Sequence, residues 1–125
     1  MEVPILRFGS YLVASVQGEL SDDDLQRLSE NLTTKVRATR SRGVVIDLTV
    51  LDVVDSFATR ILRSLTQMIR LLGAEAVVVG IQPGVALAMV QLGLTLDKTP
   101  TALDFEDGMR YLDELLEDQP RERRA

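Results

Sequence analysis

Three carboxylates and a hydroxyl fall within one short segment: Asp47, Asp52, Asp55 and Ser56. Asp47 closes the apolar run Val44-Val-Ile, and Asp55-Ser56 precedes a stripe of helical period, so the segment leads from a strand through an acidic loop into a helix. In open α/β sheets the edge where strand carboxyl ends meet helix amino ends is the usual functional one. These residue types open three chemistries. Ser56 can accept a phosphoryl group whose oxygens use the unpaired N–H groups at a helix start. That group adds about −1.5 to −2 charges, which beside Asp52 and Asp55 repels an acidic or apolar partner without unfolding the helix. Asp47 can instead take the phosphoryl group itself, with Asp52 and Asp55 supplying oxygens to magnesium. Paired acids can also do acid/base hydrolysis. The plain alternative is that Ser56 or Asp55 only caps the helix, since both are usual cap residues.

Composition narrows the choice. The 125 residues contain no histidine and no cysteine. Ser-His-Asp triads, thiolate chemistry, disulfides and His- or Cys-ligated metal centres are therefore excluded. Two tyrosines and three phenylalanines leave little to line a substrate cleft, which weighs against a hydrolase. Apolar residues make up 46% and mean hydropathy is +0.10, enough for one packed domain. The formal charge of −5 repels phosphate backbones, so nucleic acid is not an expected partner. No basic, apolar and small-residue succession marks a targeting segment at MEVPILRFGS. The most apolar stretch, Val77 to Leu96, is broken by Gly80, Gln82, Pro83, Gly84, Gln91 and Gly93, whereas a membrane span needs about 20 apolar residues. A soluble cytoplasmic protein is expected, with no membrane contact, cofactor, metal or catalytic residue.

The positioning elements follow from periodicity. Ile5 to Phe8 and Tyr11 to Gln17, separated by Gly9-Ser10, predict an antiparallel strand pair. Ser21 before three aspartates predicts a capped helix with the stripe Leu25, Leu28, Leu32 and Val36, stopped by Gly43. Val44 to Leu48 predicts a central strand apolar on both faces. The next helix starts at Phe57 with Phe57, Ile61, Leu65, Met68 and Leu72 inward and Arg60, Arg63, Gln67 and Arg70 outward, and Gly73 ends it. Ala76 to Ile81 predicts a strand, Pro83 a third helix carrying Val85, Leu87, Met89 and Val90, and Thr95 to Lys98 a weak strand. Thr101 is expected to cap a last helix with the stripe Phe105, Met109, Leu112 and Leu116. The order β-β-α-β-α-β-α-β-α predicts an α/β fold: a mixed, mostly parallel sheet, four helices and an N-terminal antiparallel pair. Eight acids face two bases from Asp97 to Asp118. The domain is expected to span residues 1–118, with 119–125 a frayed polar tail.

This order of elements, with Val45-Ile-Asp-Leu-Thr49 followed by Asp55-Ser56 at a helix start, resembles the STAS domain of anti-sigma-factor antagonists over nearly the whole chain. That family more often reads Asp-Ser-Ser/Thr-Gly, where this chain has Phe57 and Ala58 after the serine. The departure, Gly43-Val-Val-Ile-Asp-Leu-Thr49, Val79-Gly-Ile-Gln-Pro-Gly-Val85 and Thr101-Ala-Leu-Asp104 resemble the RsbS-like branch of stressosome scaffolds. The resemblance implies that Ser56 is phosphorylated by an RsbT-like serine/threonine switch kinase, which the unmodified protein holds and the modified one releases to activate a stress or signalling pathway. It also implies co-assembly with RsbR-like STAS paralogues, self-association and a phosphatase that reverses the modification. Asp55, Phe57, Ala58, Arg60 and Gly84 are the expected partner-contacting residues around Ser56. Phe57 is read first as core, with partner contact the alternative, and Arg60, Arg63 and Arg70 as a solvated face of which Arg60, one turn from Ser56, can pair with a phosphate. Gln82 and Gly84 are expected beside the Ser56 loop. The competing reading is a receiver-like phosphotransfer domain using Asp47, with Lys98 standing where such domains keep a lysine, although no acidic pair follows the first strands.

Overall fold

Val44, Val45 and Ile46 expose no surface on either side of their strand, and neither do Val77, Val78 and Val79. Strands apolar on both faces must be covered on both, which places them at the centre of a layered α/β sheet. A computed structural model, describing residues 3–17, 21–51, 55–93, 96 and 99–117, has this architecture. Among the described residues the elements are β1 (Ile5–Phe8), β2 (Tyr11–Ser15), α1 (Asp22–Thr39), β3 (Gly43–Asp47), α2 (Ser56–Leu71), β4 (Glu75–Val79), α3 (Pro83–Gln91), β5 (Thr101–Ala102) and α4 (Phe105–Glu117). The sheet order is β1-β2-β3-β4-β5. β1 and β2 are antiparallel, with Ile5 opposite Ala14 and Phe8 opposite Tyr11, and every later pair is parallel. Gly9, at φ 60°, makes the turn between the first two strands.

Register sorts the side chains. Leu12, Val44 and Ala76 lie abreast, as do Ala14, Ile46 and Val78. These residues form one face with Leu25, Leu28, Leu32 and Val36 of α1 and Leu62, Leu65 and Ile69 of α2. Tyr11, Val45, Val77 and Val79 form the other, covered by Leu112 and Leu116 of α4. Truncating a fully buried leucine such as Leu65 to alanine costs about 2–5 kcal/mol, because part of the cavity remains.

Most expected boundaries hold, and the departures have local causes. Ser21 caps α1 in a reciprocal box: its Oγ accepts from the Asp24 N–H and its own N–H donates to Asp24 Oδ2, both at 3.0 Å. That N–H, with the Ser21 hydroxyl and Arg27, holds the Asp24 carboxyl well below the usual carboxylate range. The end of α1 is Arg40 in the left-handed region (φ 53°), with the Ser41 N–H reaching Val36 O at 3.2 Å, so Gly43 is not the helix stop. Gly43 instead opens β3, where an added Cβ would stand 2.9 Å from the Tyr11 ring and 3.1 Å from Leu112. The buried face of α2 is rotated from the expected stripe: Met68 and Leu72 are exposed, while Thr59 and Thr66 are buried. Both threonines satisfy their hydroxyls on their own helix, Thr59 on Asp55 O (3.1 Å) and Thr66 on Arg63 O (2.8 Å), which makes them cheap to bury. At α4 the cap is Asp104, accepting from the Asp107 N–H at 2.9 Å, because Thr101 is spent as a strand residue of β5. The expected strand at Thr95 to Lys98, apart from Leu96, and the tail from residue 119 lie outside the described residues.

Candidate functional site

The parallel strands deliver Asp47 and Val79 side by side at their carboxyl ends. The chain leaving β3 is then fixed from three sides. The Leu48 N–H donates to Val79 O at 2.9 Å, extending the ladder one step. Asp47 turns back on the loop, its Oδ1 accepting from the Thr49 N–H (2.9 Å) and the Thr49 hydroxyl (2.6 Å). Gln82, after β4, donates from Nε2 to Thr49 O at 2.7 Å. Gly80 makes this approach possible: at φ 78°, a Cβ there would collide with the Thr49 hydroxyl and stand 3.1 Å from Thr49 N and Cα.

Past this anchored turn, Asp55 and Ser56 divide two jobs that residue type alone left open. Asp55 is the cap, in extended backbone, its Oδ1 accepting from the Ala58 N–H at 2.8 Å. Ser56 is the first helical residue. Its hydroxyl makes no hydrogen bond among the described residues, and the residue is only partly buried. Ser56 therefore offers an accessible nucleophilic oxygen that the helix does not use, beside backbone N–H groups that favour negative charge. The carboxylate of Asp55 lies one residue away.

The other expected residues distribute unevenly. Phe57 and Ala58 pack partly against the α1–α2 core, and Arg60 is exposed one turn along α2. Arg63 is partly buried and its Nε has no partner among the described residues, whereas Arg70 lies 4.0 Å from Glu75. Gln82 does lie against the loop, but Gly84 is exposed on the first turn of α3 with open space around it. Asp52 and Lys98 fall outside the described residues. Asp47 has one oxygen committed to Thr49, and a receiver-like sheet would run 2-1-3-4-5 rather than 1-2-3-4-5. Sequence reading missed Thr49 and Gly80 as the pair that fixes the loop. It also missed that apolar side chains in the β3–α2 loop and on α3 stay outside the core: Val50, Leu87 and Val90 are 56%, 58% and 66% exposed. The signal was available, since Val85-Ala-Leu-Ala-Met-Val90 has no polar side for a short surface helix to turn outward.

The STAS domain model matches residues 3–107. The chain belongs to the STAS domain family. It is 30% identical over 103 residues to the RsbT co-antagonist protein RsbRA of Bacillus subtilis (strain 168), covering 82% of this chain and spanning 38% of that relative's length. Among solved structures, a serine-to-glutamate variant of RsbS from Moorella thermoacetica superposes with a TM-score of 0.81 at 35% identity, over 92% of this chain and 97% of the other. A chain from a structure of the stressosome, described as a signal integration and transduction hub, superposes with a TM-score of 0.79 at 35% identity, over 90% and 98%. Among the described residues the STAS domain thus has the expected mixed sheet, five-stranded, with four helices, and its similarity at 30–35% identity extends to RsbRA, RsbS and a stressosome chain. No helix among the described residues is long and apolar enough to cross a membrane.

Proposed function

We propose that this STAS domain is a non-catalytic binding module of a cytoplasmic stressosome, switched by phosphorylation of Ser56. The observation that carries the reading is the division of labour at the start of α2, where Asp55 caps the helix and the Ser56 hydroxyl is left unspent. A phosphoryl group can then be added or removed without loss of the cap. In the unmodified state the surface around Ser56, with Asp55, Phe57, Ala58, Arg60 and Gly84 and the exposed Val50, Leu87 and Val90, holds an RsbT-like serine/threonine kinase. Similarity to RsbRA, RsbS and a stressosome chain supports this partner set, with RsbR-like paralogues sharing the assembly and a phosphatase resetting it.

The switch works by charge. A group of about −1.5 to −2 placed roughly 6 Å from one partner carboxylate, at an effective dielectric of about 20, costs on the order of 4 kcal/mol. That is roughly a thousandfold in affinity, enough to release the kinase.

The test is intact-mass analysis with peptide mapping after incubation with an RsbT-like kinase and ATP. One acid-stable phosphate on Ser56, absent from Ser56→Ala, is expected, together with weaker kinase capture by Ser56→Asp. No phosphate, an acid-labile one on Asp47, or stoichiometric phosphate on Ser56→Ala would overturn the reading.

A further inference from the structure

β1 is an edge strand whose outer side is open. Gly9 and Ser10 make the turn into β2, and so short a turn makes Phe8 and Tyr11 a hydrogen-bonded pair of the antiparallel ladder, with Arg7 and Leu12 a non-bonded one. The alternation directs the N–H and C=O of Ile5 and Arg7 away from β2, and no backbone group among the described residues meets them. Edge strands are commonly blunted by charges, bulges or a covering element. Here Leu6 and Phe8, on the α4 side of the strand, are 61% and 49% exposed, and the Phe8 ring is held edge-on against Phe105 at 5.4 Å.

The α1 side of the same edge is a groove. Val3, Ile5 and Ala38 line a cleft of about 740 Å³ with Lys35, and Thr39 joins it to a smaller one of about 150 Å³ bounded by Arg7 and Arg40. Among the described residues no carboxylate lines either cleft. Arg7 uses only its Nε, donating to Gly9 O at 3.2 Å, and the side chains of Lys35 and Arg40 make no ion pair or hydrogen bond among the described residues. The dipole of α1 accounts for cations at 35 and 40, near and at its carboxyl end. It does not account for Arg7, which joins them from β1. In a chain of net charge −5 this edge is a basic strip.

Open backbone groups, apolar side chains on one face and unanswered cations on the other together make a template for strand addition. We propose that β1 takes up an extended segment of another protein as a further strand, the segment's backbone pairing with Ile5 and Arg7. Side chains of an added strand alternate between the two faces of the sheet, which sets the chemistry of the occupant. Acidic residues face Arg7, Lys35 and Arg40, and apolar residues between them cover Leu6 and Phe8. A second copy of β1 is a poor occupant, because it would bring the same cations of both chains together. The site has β2 between it and β3, and it requires nothing of the phosphorylation reading.

The experiment is fluorescence anisotropy of a labelled synthetic peptide alternating valine and glutamate, about eight residues long, titrated with the full chain. Saturable binding is expected, weakened at least about tenfold when the peptide's glutamates are exchanged for lysine and when the chain carries Arg7→Glu/Lys35→Glu. Binding should also weaken from about 0.01 M to 1 M salt, across which the screening length falls from roughly 30 Å to roughly 3 Å. Hydrogen exchange at the Ile5 and Arg7 amides should slow in the complex, a mark of strand pairing that a loose charge contact would not leave. Thermal unfolding checks the fold of the variant, and Lys35→Glu alone, at an exposed position of α1, serves if the double substitution unfolds. No saturable binding, binding indifferent to salt and charge reversal, or unchanged exchange at Ile5 and Arg7 would overturn the inference. Exchange at those amides that slows with the concentration of the chain alone would assign the edge to a second copy and overturn it too.

Discussion

Removing the cap and removing the candidate phosphoacceptor at the start of α2 should have opposite profiles, although the two residues are neighbours. Asp55 Oδ1 accepts from the Ala58 N–H at 2.8 Å, a geometry that satisfies one of the otherwise orphaned donors and sets a negative charge at the positive end of the helix. Asp55→Ala should therefore cost about 0.5–2 kcal/mol. The Ser56 hydroxyl makes no hydrogen bond among the described residues and alanine is the better helix former, so Ser56→Ala should stay within about 0.5 kcal/mol of the parent. For a domain of this size 1 kcal/mol moves the melting temperature by roughly 3–6 °C. The two variants should thus be separable by circular dichroism melts and by urea midpoints at constant slope. Incubated with kinase and ATP, the stable Ser56→Ala should take up no phosphate while the weakened Asp55→Ala still does. If Ser56→Ala loses as much stability as Asp55→Ala, the serine is a structural cap and the argument for an unspent hydroxyl fails.

Gly80→Ala should destabilise the domain by about 2–4 kcal/mol, combining a left-handed non-glycine residue with displacement of Thr49 from the Asp47 and Gln82 contacts. A urea midpoint within error of the parent would show that the β3–α2 turn does not depend on this close approach. The Asp24 carboxyl is held low by the Ser21 N–H, so its folded-state pKa lies beneath its unfolded value and the stability it contributes is complete above about pH 4 and lost as pH falls below that. Asp24→Asn should flatten the acid limb of the stability curve, and an unchanged slope between about pH 4 and pH 2 would refute the linkage.

The sheet was legible because its information is carried by apolar pattern. Val44 to Ile46 and Val77 to Val79 are continuous apolar runs, which only a doubly covered central strand can bury, and the β-β-α-β-α order then fixes which strands need crossovers. The face of α2 was misread for the converse reason. Thr59 and Thr66 are polar by type but bury at little cost once their hydroxyls return to Asp55 O and Arg63 O, so hydropathy rotates the stripe away from the true core. Caps were ambiguous wherever two capable residues adjoin: Asp55 beside Ser56, and Thr101 ahead of Asp104. Only the tertiary placement of β5 decides that Thr101 belongs to the sheet. The candidate site was found from Asp47, Asp55 and Ser56, but its scaffold was not. The Thr49–Gly80 contact joins segments 31 residues apart, and no local pattern encodes it.

The two ends of the sheet suit different tasks because of how a parallel sheet is built. Strand carboxyl ends deliver loops into helix amino ends, where Asp47, Thr49 and Ser56 gather and where added negative charge is tolerated by α2. Strand amino ends receive chain from helix carboxyl ends, where arginine is favoured at the last turn of α1 and where Arg40 and Arg42 follow before Gly43 admits the Tyr11 ring. A strand of five residues separates these ends by about 17 Å, roughly twice the screening length of about 8 Å at physiological salt. A phosphate on Ser56 is therefore felt by a partner on its own end and only weakly by charges at the other. In this arrangement the electrostatic effect of a modification at Ser56 is confined to one end of the domain, and it needs no conformational change to act there.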